Sequence, residues 1–504
     1  MCKNAVDAYL ASTPTTEVDA GALGLIASLT EVAKTVPAVA RAIVREFADQ
    51  RSHLKLIASE NYCSLATQLA MGNLLTDKYA EGFPGHRFYE GCENIDDVEA
   101  LACEEACKLF GCDHAYVQPH SGADANLIAY WAILEARVEA PALAELGVKD
   151  PAALSREDWD RLRQSLGNQR LLGMDYYAGG HLTHGYRRNV SARMFDAYSY
   201  GVNPETGLLD YDELERMVLE IKPFIFLAGY SAYPRAIDFE RLRAIADKAG
   251  AVFMVDMAHF AGLVAGGAFV GACNPVPYAH VVTSTTHKTL RGPRGGFVLC
   301  TNEFAQYVDK GCPLVIGGPL PHVIAAKAVA FTEANRPEFR AYAQAIVRNA
   351  HDLAEACLAE GLDVVTGGTD NHLLLVDVRS FGLTGRQAAG VLHECGITVN
   401  FNSLPGDPNG PWYTSGLRIG TPPVTTLGMG RGEMREIASL LKLVLAHTTA
   451  RRIESGPKAG QPSRARYDIG AAAVDETRMR VHALLEGFPL YPQLDLAFLE
   501  QHFT

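Results

Sequence analysis

The chain has 504 residues, of which 48% are hydrophobic and 20% charged, with a formal net charge of -13. This length exceeds what one hydrophobic core supports, so two domains with terminal extensions are expected, and the negative charge disfavours nucleic acid and anionic membranes as partners. Eleven cysteines without a repeating spacing, and the lack of any signal-like or membrane-length apolar run, predict a soluble cytoplasmic protein.

The first 50 residues are interpreted as an N-terminal extension and arm that adds no chemistry. A helix is predicted from about Pro37 to Arg51, because its apolar residues recur with helical spacing. The segment Leu56–Tyr62 turns from apolar to polar. It is expected to present Ser59, Glu60 and Asn61 together at the end of a strand or turn.

The stretch from Lys78 to Asn94 has no helical or strand period and is rich in glycine and aromatic residues. It brings Tyr79, Glu81, Arg87 and Tyr89 close together in sequence. Loops of this composition commonly carry functional groups over a site. A purely structural Ω-loop is the alternative.

A helix over Ile95–Phe110, closed by Gly111, and a short strand at Ala115–Gln118 come next. Ser121 and Gly122 then open another helix. A strand followed by Ser-Gly at a helix start is typical of phosphate binding by free backbone N–H groups and a hydroxyl. Ordinary capping of the helix by Ser121 is the alternative.

Residues 137–170 are interpreted as an insertion of surface helices. After them, glycines surround His181 and His184 in the stretch 179–185. Two histidines without a nearby carboxylate are a poor metal site, so no metal is predicted. The glycines instead favour a histidine ring held flat against a ligand.

Buried strands alternate with helices from about 110 to 300, which predicts an α/β domain with its ligand at the carboxyl ends of the strands. One strand leads to a polar turn at Ser231. The strand beginning at Ala251 ends in Asp256 and His259. A carboxylate buried at a strand end needs a cationic or hydrogen-bonding partner.

The most unusual lysine, Lys288, follows the apolar run Ala279–Val282 and a series of hydroxyl side chains. Arg291 and Arg294 follow it, and their positive charges together with burial are expected to favour the neutral amine. A neutral lysine is a nucleophile for an aldehyde. A strand-end lysine beside a tight turn is the alternative.

Beyond residue 321 a long helical region runs to about Glu360, followed by a smaller α+β unit with strands near 364–366 and 373–378. Arg418, inside an apolar strand, is a candidate for bidentate capture of a carboxylate. Residues 454–463 are interpreted as an exposed linker before a closing helix. We therefore expect four parts: 1–50, a large cofactor-binding domain over 51–335, a small domain over 336–450, and a C-terminal extension over 451–504.

Together these features predict a pyridoxal phosphate site. Ser121 and Gly122 supply a phosphate cradle, His181 a stacking ring, Asp256 a partner for the pyridine nitrogen, and Lys288 the amine for a Schiff base. Arg418 is then expected to hold the carboxylate of an amino acid and to orient the bond that breaks.

The same text resembles the serine hydroxymethyltransferase family of fold-type I pyridoxal phosphate enzymes over roughly residues 40–445. The matching segments are 56–62, 78–82, 118–122, 179–185, 255–263, 285–290, 292–296, 367–372 and 414–418. The resemblance implies reversible transfer of the serine hydroxymethyl group to tetrahydrofolate through an external aldimine of the cofactor, giving glycine and 5,10-methylenetetrahydrofolate. It also implies a homodimer or tetramer with shared active sites.

The resemblance further assigns roles to individual residues. Lys288 carries the cofactor, with Glu81, His181, Asp256 and His287 as the other catalytic residues. The cofactor also contacts Ser121, Gly122, Ser231 and His259, and Tyr79 and Gly318 reach the phosphate in the neighbouring subunit. The amino-acid substrate contacts Ser59, Glu81, Tyr89 and Arg418, and tetrahydrofolate lies near Tyr176, Gly180, His181, Leu182, Gly410, Pro411 and Trp412.

Some residues depart from the family pattern. Ala123 replaces a second serine on the phosphate, Phe88 replaces a tyrosine beside Tyr89, and the glycine-rich loop before Gly318 is shortened. Two alternatives therefore stay open. One is a threonine-aldolase-like lyase that ignores folate, and the other is a non-catalytic protein that binds pyridoxal phosphate.

Overall fold

The structure, a computed structural model, describes residues 4–504. Its strands are, in chain order, β1 (Leu54–Lys55), β2 (Gly82–Phe83), β3 (His86–Arg87), β4 (His114–Tyr116), β5 (Arg170–Met174), β6 (Asp196–Tyr200), β7 (Ile225–Gly229), β8 (Val252–Asp256), β9 (Val281–Thr285), β10 (Gly296–Cys300), β11 (Asp363–Val364), β12 (Leu373–Asp377), β13 (Ile397–Thr398), β14 (Asn400–Asn402), β15 (Gly416–Gly420), β16 (Thr448–Arg452) and β17 (Pro462–Ile469). Its α-helices are α1 (Ala5–Ser12), α2 (Ala20–Thr35), α3 (Pro37–Ser52), α4 (Leu65–Leu69), α5 (Glu93–Phe110), α6 (Gly122–Leu134), α7 (Ala140–Glu145), α8 (Arg156–Gly167), α9 (Ser191–Met194), α10 (Tyr211–Ile221), α11 (Phe239–Ala249), α12 (Ala261–Ala265), α13 (Asn302–Val308), α14 (Gly311–Leu314), α15 (Pro321–Ala334), α16 (Pro337–Ala359), α17 (Gly385–Glu394), α18 (Pro422–Thr426), α19 (Arg431–Ala446), α20 (Ala471–Glu486) and α21 (Leu496–Phe503).

The main sheet has seven strands in the order β4-β10-β9-β8-β7-β5-β6. Strand β10 runs antiparallel to both of its neighbours, whereas β5 to β9 pair in parallel. Strands β7 to β10 are buried along their whole length, which is why they are mostly apolar in the sequence, except for the hydroxyl residues at the end of β9 and Asp256 at the end of β8. Apolar cores lie on both faces of the sheet. The predicted α/β fold is thus confirmed.

The parallel strands determine where polar groups gather. Parallel pairing places the carboxyl ends of β5, β7, β8 and β9 together on one side of the sheet. Tyr176, Ser231 and Lys288 lie just beyond β5, β7 and β9, and Asp256 is the last residue of β8. Ligands of such sheets bind outside the carboxyl ends of the strands, so a functional site is expected at these strand ends.

A second core surrounds an antiparallel sheet of β11, β12, β15 and β14. The long helical region predicted from residue 322 is two helices, because Pro337 cannot continue α15 and starts α16 instead. Leu54 and Leu56 also pack in this second core, since β1 pairs with β13. These two residues therefore belong with the smaller unit, although a boundary at residue 51 placed them in the large domain.

The two ends of the chain pack against each other. Helices α2 and α3 share an apolar cluster with Leu490, Leu494 and Leu499 of the C-terminal extension. The interpretation of 454–463 as a linker was wrong, because these residues form the turn of a hairpin in which β16 pairs with β17. Tyr467 and Ile469 of β17 pack against the second core, which fixes the hairpin.

The predicted insertion at 137–170 carries the surface helices α7 and α8, and Leu162 is the buried residue of α8. No helix among residues 4–504 is both long enough and apolar enough to cross a membrane.

Candidate active site

Lys288 lies three residues beyond the end of β9, where its amine is buried. Its Nζ donates a hydrogen bond to Thr285 Oγ1 at 3.1 Å. Burial lowers the pKa of Lys288 to about 8, an effect that Asp256 opposes and that Arg418 and Arg294 reinforce. Arg291, also expected to act on Lys288, instead places its guanidinium 3.9 Å from the centre of the Tyr342 ring. About a tenth of the amine is therefore neutral at pH 7, far more than for an exposed lysine.

Asp256 has the hydrogen-bonding partners that its burial requires. Its Oδ2 accepts hydrogen bonds from Asn126 Nδ2 at 2.9 Å and His184 Nε2 at 3.2 Å, and its Oδ1 accepts one from the Ala258 N–H at 3.0 Å. Burial alone raises the pKa of a carboxyl, but the hydrogen bond and charge of His184 outweigh it, so the pKa of Asp256 lies well below its usual value. The residue is a permanent buried anion.

Two histidines line this anion in different roles. His184 Nδ1 accepts from the His181 N–H at 3.3 Å, which leaves the proton on the Nε2 that faces Asp256. His181 Nδ1 bonds to Thr183 Oγ1 at 2.7 Å, and burial lowers the pKa of His181 to about 4. His181 therefore presents a neutral ring, as a stacking role requires.

Folding brings a carboxylate to these histidines that is absent from the local sequence. Ligand atoms of His181, His184 and Asp256 lie within 4.8 Å of one another. Each of the three side chains is already engaged in hydrogen bonds within the protein. The sequence-based expectation of no metal stays a prediction.

Helix α6 lies against both Thr285, which bonds to the Lys288 amine, and the Asp256 carboxylate. Ser121 caps it, with its Oγ accepting from the Asp124 N–H at 3.2 Å and donating to Asp124 Oδ2 at 2.9 Å. A Cβ on Gly122 would lie 2.6 Å from Thr285 Cγ2, so only glycine lets the helix start approach the Lys288 partner this closely. One turn later, Asn126 holds Asp256. The site thus combines an anion-binding helix start, a nucleophilic amine and a buried carboxylate, which fits the phosphate, aldehyde and pyridine nitrogen of pyridoxal phosphate.

His259, expected beside the cofactor ring, pairs with another buried histidine. Its Nδ1 lies 3.1 Å from His372 Nε2. Burial and the positive charges of Lys288 and Arg418 lower the pKa of both rings, that of His372 to about 3. In the sequence, His372 stood out only as part of the matching segment 367–372. Its partner His259 is 113 residues away, so no local pattern marks the pair.

His287 and Ser59 line a cleft of about 460 Å³ together with Arg294. Burial, then the charges of Lys288 and Arg294, lower the pKa of His287 to about 3. Its Nδ1 is buried and has no hydrogen-bond partner among residues 4–504. The ring is therefore neutral, and its Nδ1 is left without a hydrogen bond in the described chain.

Arg418 is buried on β15, and burial lowers its pKa to about 10. Its Nε donates to Asn400 Oδ1 at 3.0 Å, and its Nη1 donates to Ser231 O at 2.7 Å and Ser231 Oγ at 3.2 Å. Its Nη2 donates to none of the described residues. Ser231, expected on the cofactor, is thus seen holding the guanidinium. Arg418 faces a cavity of about 200 Å³.

The residues expected to bind folate converge beside Arg418. Tyr176, Gly180 and Pro411 line the Arg418 cavity. A second cavity of about 460 Å³ is lined by Tyr176, Leu182, Pro411 and Trp412, so the two cavities adjoin. Gly410 forms the turn before Pro411 with a φ of 66°. The structure thus provides a continuous path from the buried arginine to an aromatic surface.

Tyr79, Glu81 and Tyr89 form a separate cluster. Glu81 Oε2 accepts from Tyr89 Oη at 2.9 Å and Glu81 Oε1 from Tyr79 Oη at 3.4 Å, and the Tyr79 ring packs against Gly318. Both tyrosines are exposed, and within the described chain no hydrogen bond joins Glu81 to Lys288 or Arg418. Within the described chain, Glu81 is therefore bonded to the two tyrosines and not to the amine.

Arg87, which the sequence grouped with this loop, is buried beneath it. Its Nε donates to Asp96 Oδ1 and its Nη2 to Glu99 Oε2, both at 2.8 Å. Its Nη1 also donates to the carbonyl oxygens of Ala80 and Gly82 at 2.9 Å. Arg87 thus fixes the loop that carries Glu81 instead of reacting itself.

The fold and the site define an α/β enzyme of the fold-type I, pyridoxal-phosphate-dependent class. A family model described as serine hydroxymethyltransferase matches residues 32–146 and 165–441, and its gap falls inside the predicted insertion. The chain belongs to this family.

Three curated relatives, each named serine hydroxymethyltransferase, show how much of the chain is shared. The protein of Treponema pallidum (strain Nichols) is 58% identical over 504 residues, which is 100% of this chain and 87% of the relative. That of Salinispora tropica is 58% identical over 461 residues (91% and 95%), and that of Mycolicibacterium smegmatis is 56% identical over 477 residues (93% and 94%). The Treponema alignment includes the insertion and both terminal extensions, which had been placed outside the family pattern.

Proposed function

We propose that this enzyme reversibly transfers the hydroxymethyl group of serine to tetrahydrofolate, giving glycine and 5,10-methylenetetrahydrofolate, with the residue roles set out below. The observation that carries the proposal is a pair of cavities that share Tyr176 and Pro411 and extend from Arg418, whose charge acts on the Lys288 amine, to Trp412. The cavity at Arg418 would hold the amino acid, and the cavity at Trp412 would hold the large aromatic co-substrate.

The decisive measurement is glycine formation from serine with and without tetrahydrofolate. We expect folate to accelerate it and to take up the one-carbon unit. A folate-independent rate with release of free formaldehyde would instead support the lyase alternative.

Pyridoxal phosphate, when bound, supplies an aldehyde and an electron-accepting ring. Lys288 provides a neutral amine toward the aldehyde, and the first turn of α6 provides N–H groups toward the phosphate. Asp256 holds a proton on the ring nitrogen because its own charge is fixed by His184 and Asn126. His181 stacks as an uncharged ring. Asp256 and His181 are thus set in these charge states before substrate arrives, and the lowered pKa of Lys288 makes its neutral form readily accessible.

Arg418 is the proposed carboxylate receptor. Its Nε and Nη1 are engaged by Asn400 and Ser231, so the guanidinium cannot rotate and its Nη2 is directed to the cavity. Such charge-assisted hydrogen bonds are strong in a buried setting. Ser59 and Tyr89 are proposed as further contacts of the amino acid.

Changing Arg418 to lysine is expected to raise the KM for serine by roughly 10- to 100-fold, because lysine keeps the charge but loses the planar, anchored donors. Steady-state kinetics with varied serine would measure this. Arg464→Lys, on an exposed arginine that stacks on Tyr413, is the matched control and should leave the KM unchanged. An unaltered KM in Arg418→Lys would refute the receptor role.

We propose that the active site of one chain is completed by Glu81 of a second copy. This Glu81 would move the proton of the serine hydroxyl. Glu81 is half-buried and bonds to the exposed Tyr79 and Tyr89, so this cluster could complete the active site of a neighbouring chain. The same arrangement accounts for the proposed contact of Tyr79 and Gly318 with the neighbour's phosphate. A homodimer or larger assembly is therefore part of the proposal.

Glu81→Gln should lower the folate-dependent reaction by about 100-fold, a typical loss for a general acid–base group. Folate-independent cleavage of 3-hydroxy amino acids should fall much less. Comparing both rates in one preparation tests this, and Glu90→Gln, in the same loop, serves as control. Equal losses in the two reactions would exclude Glu81 as the proton carrier for folate-dependent transfer.

A further inference from the structure

The segment 57–63, which carries Ser59, has neither helix nor strand. Backbone groups of such a segment need partners from elsewhere in the chain. The position of Ser59 therefore depends on side chains that hold the segment from outside.

On its inner side the segment is fastened to the catalytic lysine. Asn61 Nδ2 donates to the Lys288 carbonyl oxygen at 2.9 Å and to Tyr342 Oη at 2.6 Å. Asn61 Oδ1 accepts from Thr426 Oγ1 at 2.7 Å. The Asn61 side chain therefore links the segment directly to the Lys288 peptide.

On its outer side the segment is held by the C-terminal extension. Tyr491 Oη donates to the Cys63 carbonyl oxygen at 2.6 Å and accepts from Gln68 Nε2 at 2.8 Å. The φ of Tyr491 is 46°, in the left-handed region that disfavours residues with a side chain. Such a conformation persists only where surrounding contacts enforce it.

Arg51 of α3 supplies those contacts. Its Nε donates to the Leu490 carbonyl oxygen at 2.9 Å. Its Nη2 donates to the carbonyl oxygens of Tyr491 at 2.7 Å and Leu494 at 2.9 Å. The N-terminal helices thus hold the strained turn that presents Tyr491 to Cys63.

We propose that Tyr491 is a positioning residue for the amino-acid substrate, acting through the Cys63 carbonyl on the segment that carries Ser59. This rests on the proposed function, in which Ser59 contacts that substrate. Tyr491 lies beyond residue 441, where the match to the family model ends. Arg51 of α3 and Tyr491 of the C-terminal extension together hold the segment 57–63 in place on the substrate side of the site. We call this set of contacts the brace.

Tyr491→Phe tests the proposal, because it keeps the ring and removes the hydroxyl. We expect a three- to tenfold increase, roughly the loss of one hydrogen bond, in the KM for serine, with a smaller change in kcat. Backbone hydrogen exchange in residues 57–64 should accelerate by a similar factor. Arg51→Met should change both quantities in the same direction. Tyr467→Phe is the matched control, since Tyr467 lies in the same extension and its hydroxyl donates to Glu394 of α17, and it should change neither.

Ser59→Ala separates this proposal from the function on which it rests. Unchanged exchange in Tyr491→Phe would overturn the brace whatever the substrate is. Faster exchange with an unchanged KM, while Ser59→Ala raises the KM, would overturn substrate positioning by Tyr491. An unchanged KM in both variants, despite faster exchange, would locate the failure in the proposed role of Ser59.

Discussion

Replacing Lys288 with alanine is expected to lower serine-to-glycine turnover by roughly 1000-fold or more while the chain stays folded. The amine is the one nucleophile toward the aldehyde in the proposed site, so its loss removes covalent attachment altogether. The fold should tolerate the change, because among residues 4–504 the buried amine makes a single hydrogen bond, to Thr285. Turnover and thermal unfolding of the variant, measured side by side, check both parts.

Lys248→Ala is the matched control for this experiment, since Lys248 is an exposed lysine paired with Glu215. It should keep wild-type turnover. If Lys288→Ala also kept it, the assignment of the active site would be wrong. A Lys288→Ala protein that is unfolded would be uninformative about chemistry, so Lys288→Arg, which keeps the charge without a neutral amine, is the second variant and should be equally inactive.

Mixing the Lys288→Ala and Glu81→Gln proteins tests whether the active site is shared. In a mixed dimer one site has both substituted residues and the other has neither. Random exchange of subunits should then restore up to about a quarter of wild-type activity. If Glu81 acted within its own chain, no site in the mixture would be complete and mixing would restore nothing.

The residues that sequence reasoning found share a position at the ends of strands. Asp256 and Lys288 follow apolar runs, and the parallel pairing of β8 with β9 places their ends together. An alternation of buried strands and helices is sufficient to predict that arrangement. Local sequence also predicted the start of α6 and the surface helices of the insertion, and capping by Ser121, given as an alternative, is seen in the structure.

The partners of these residues could not be predicted in the same way. Asn126 is 130 residues from Asp256, and His372 is 113 residues from His259. Such pairs form only when several elements have packed, and no local pattern marks them. The hairpin at 448–469 was missed for a related reason, because glycine, proline and lysine in its turn have the composition of a linker.

Asp256→Asn is expected to lower turnover by roughly 1000-fold and to weaken the binding of pyridoxal phosphate. The substitution keeps the size of the side chain but removes the buried negative charge, whose preorganised effect on a developing charge is worth about 3 to 4 kcal/mol. The amide oxygen can still accept from Asn126 and His184, whereas the amide NH₂ would face the Ala258 N–H. Thermal stability should therefore fall only slightly, by about 1 to 2 kcal/mol.

Turnover, cofactor affinity and unfolding of Asp256→Asn should be compared with those of Asp247→Asn, an exposed aspartate paired with Arg243. Wild-type turnover in Asp256→Asn would refute the pairing of Asp256 with the ring nitrogen. A loss of stability as large as the loss of catalysis would mean that the carboxylate serves chiefly to accept the hydrogen bonds of the buried His184 and Asn126. Loss of catalysis in a stable protein would show that this anion, fixed by Asn126 and His184 from two distant segments, is directed at the cofactor.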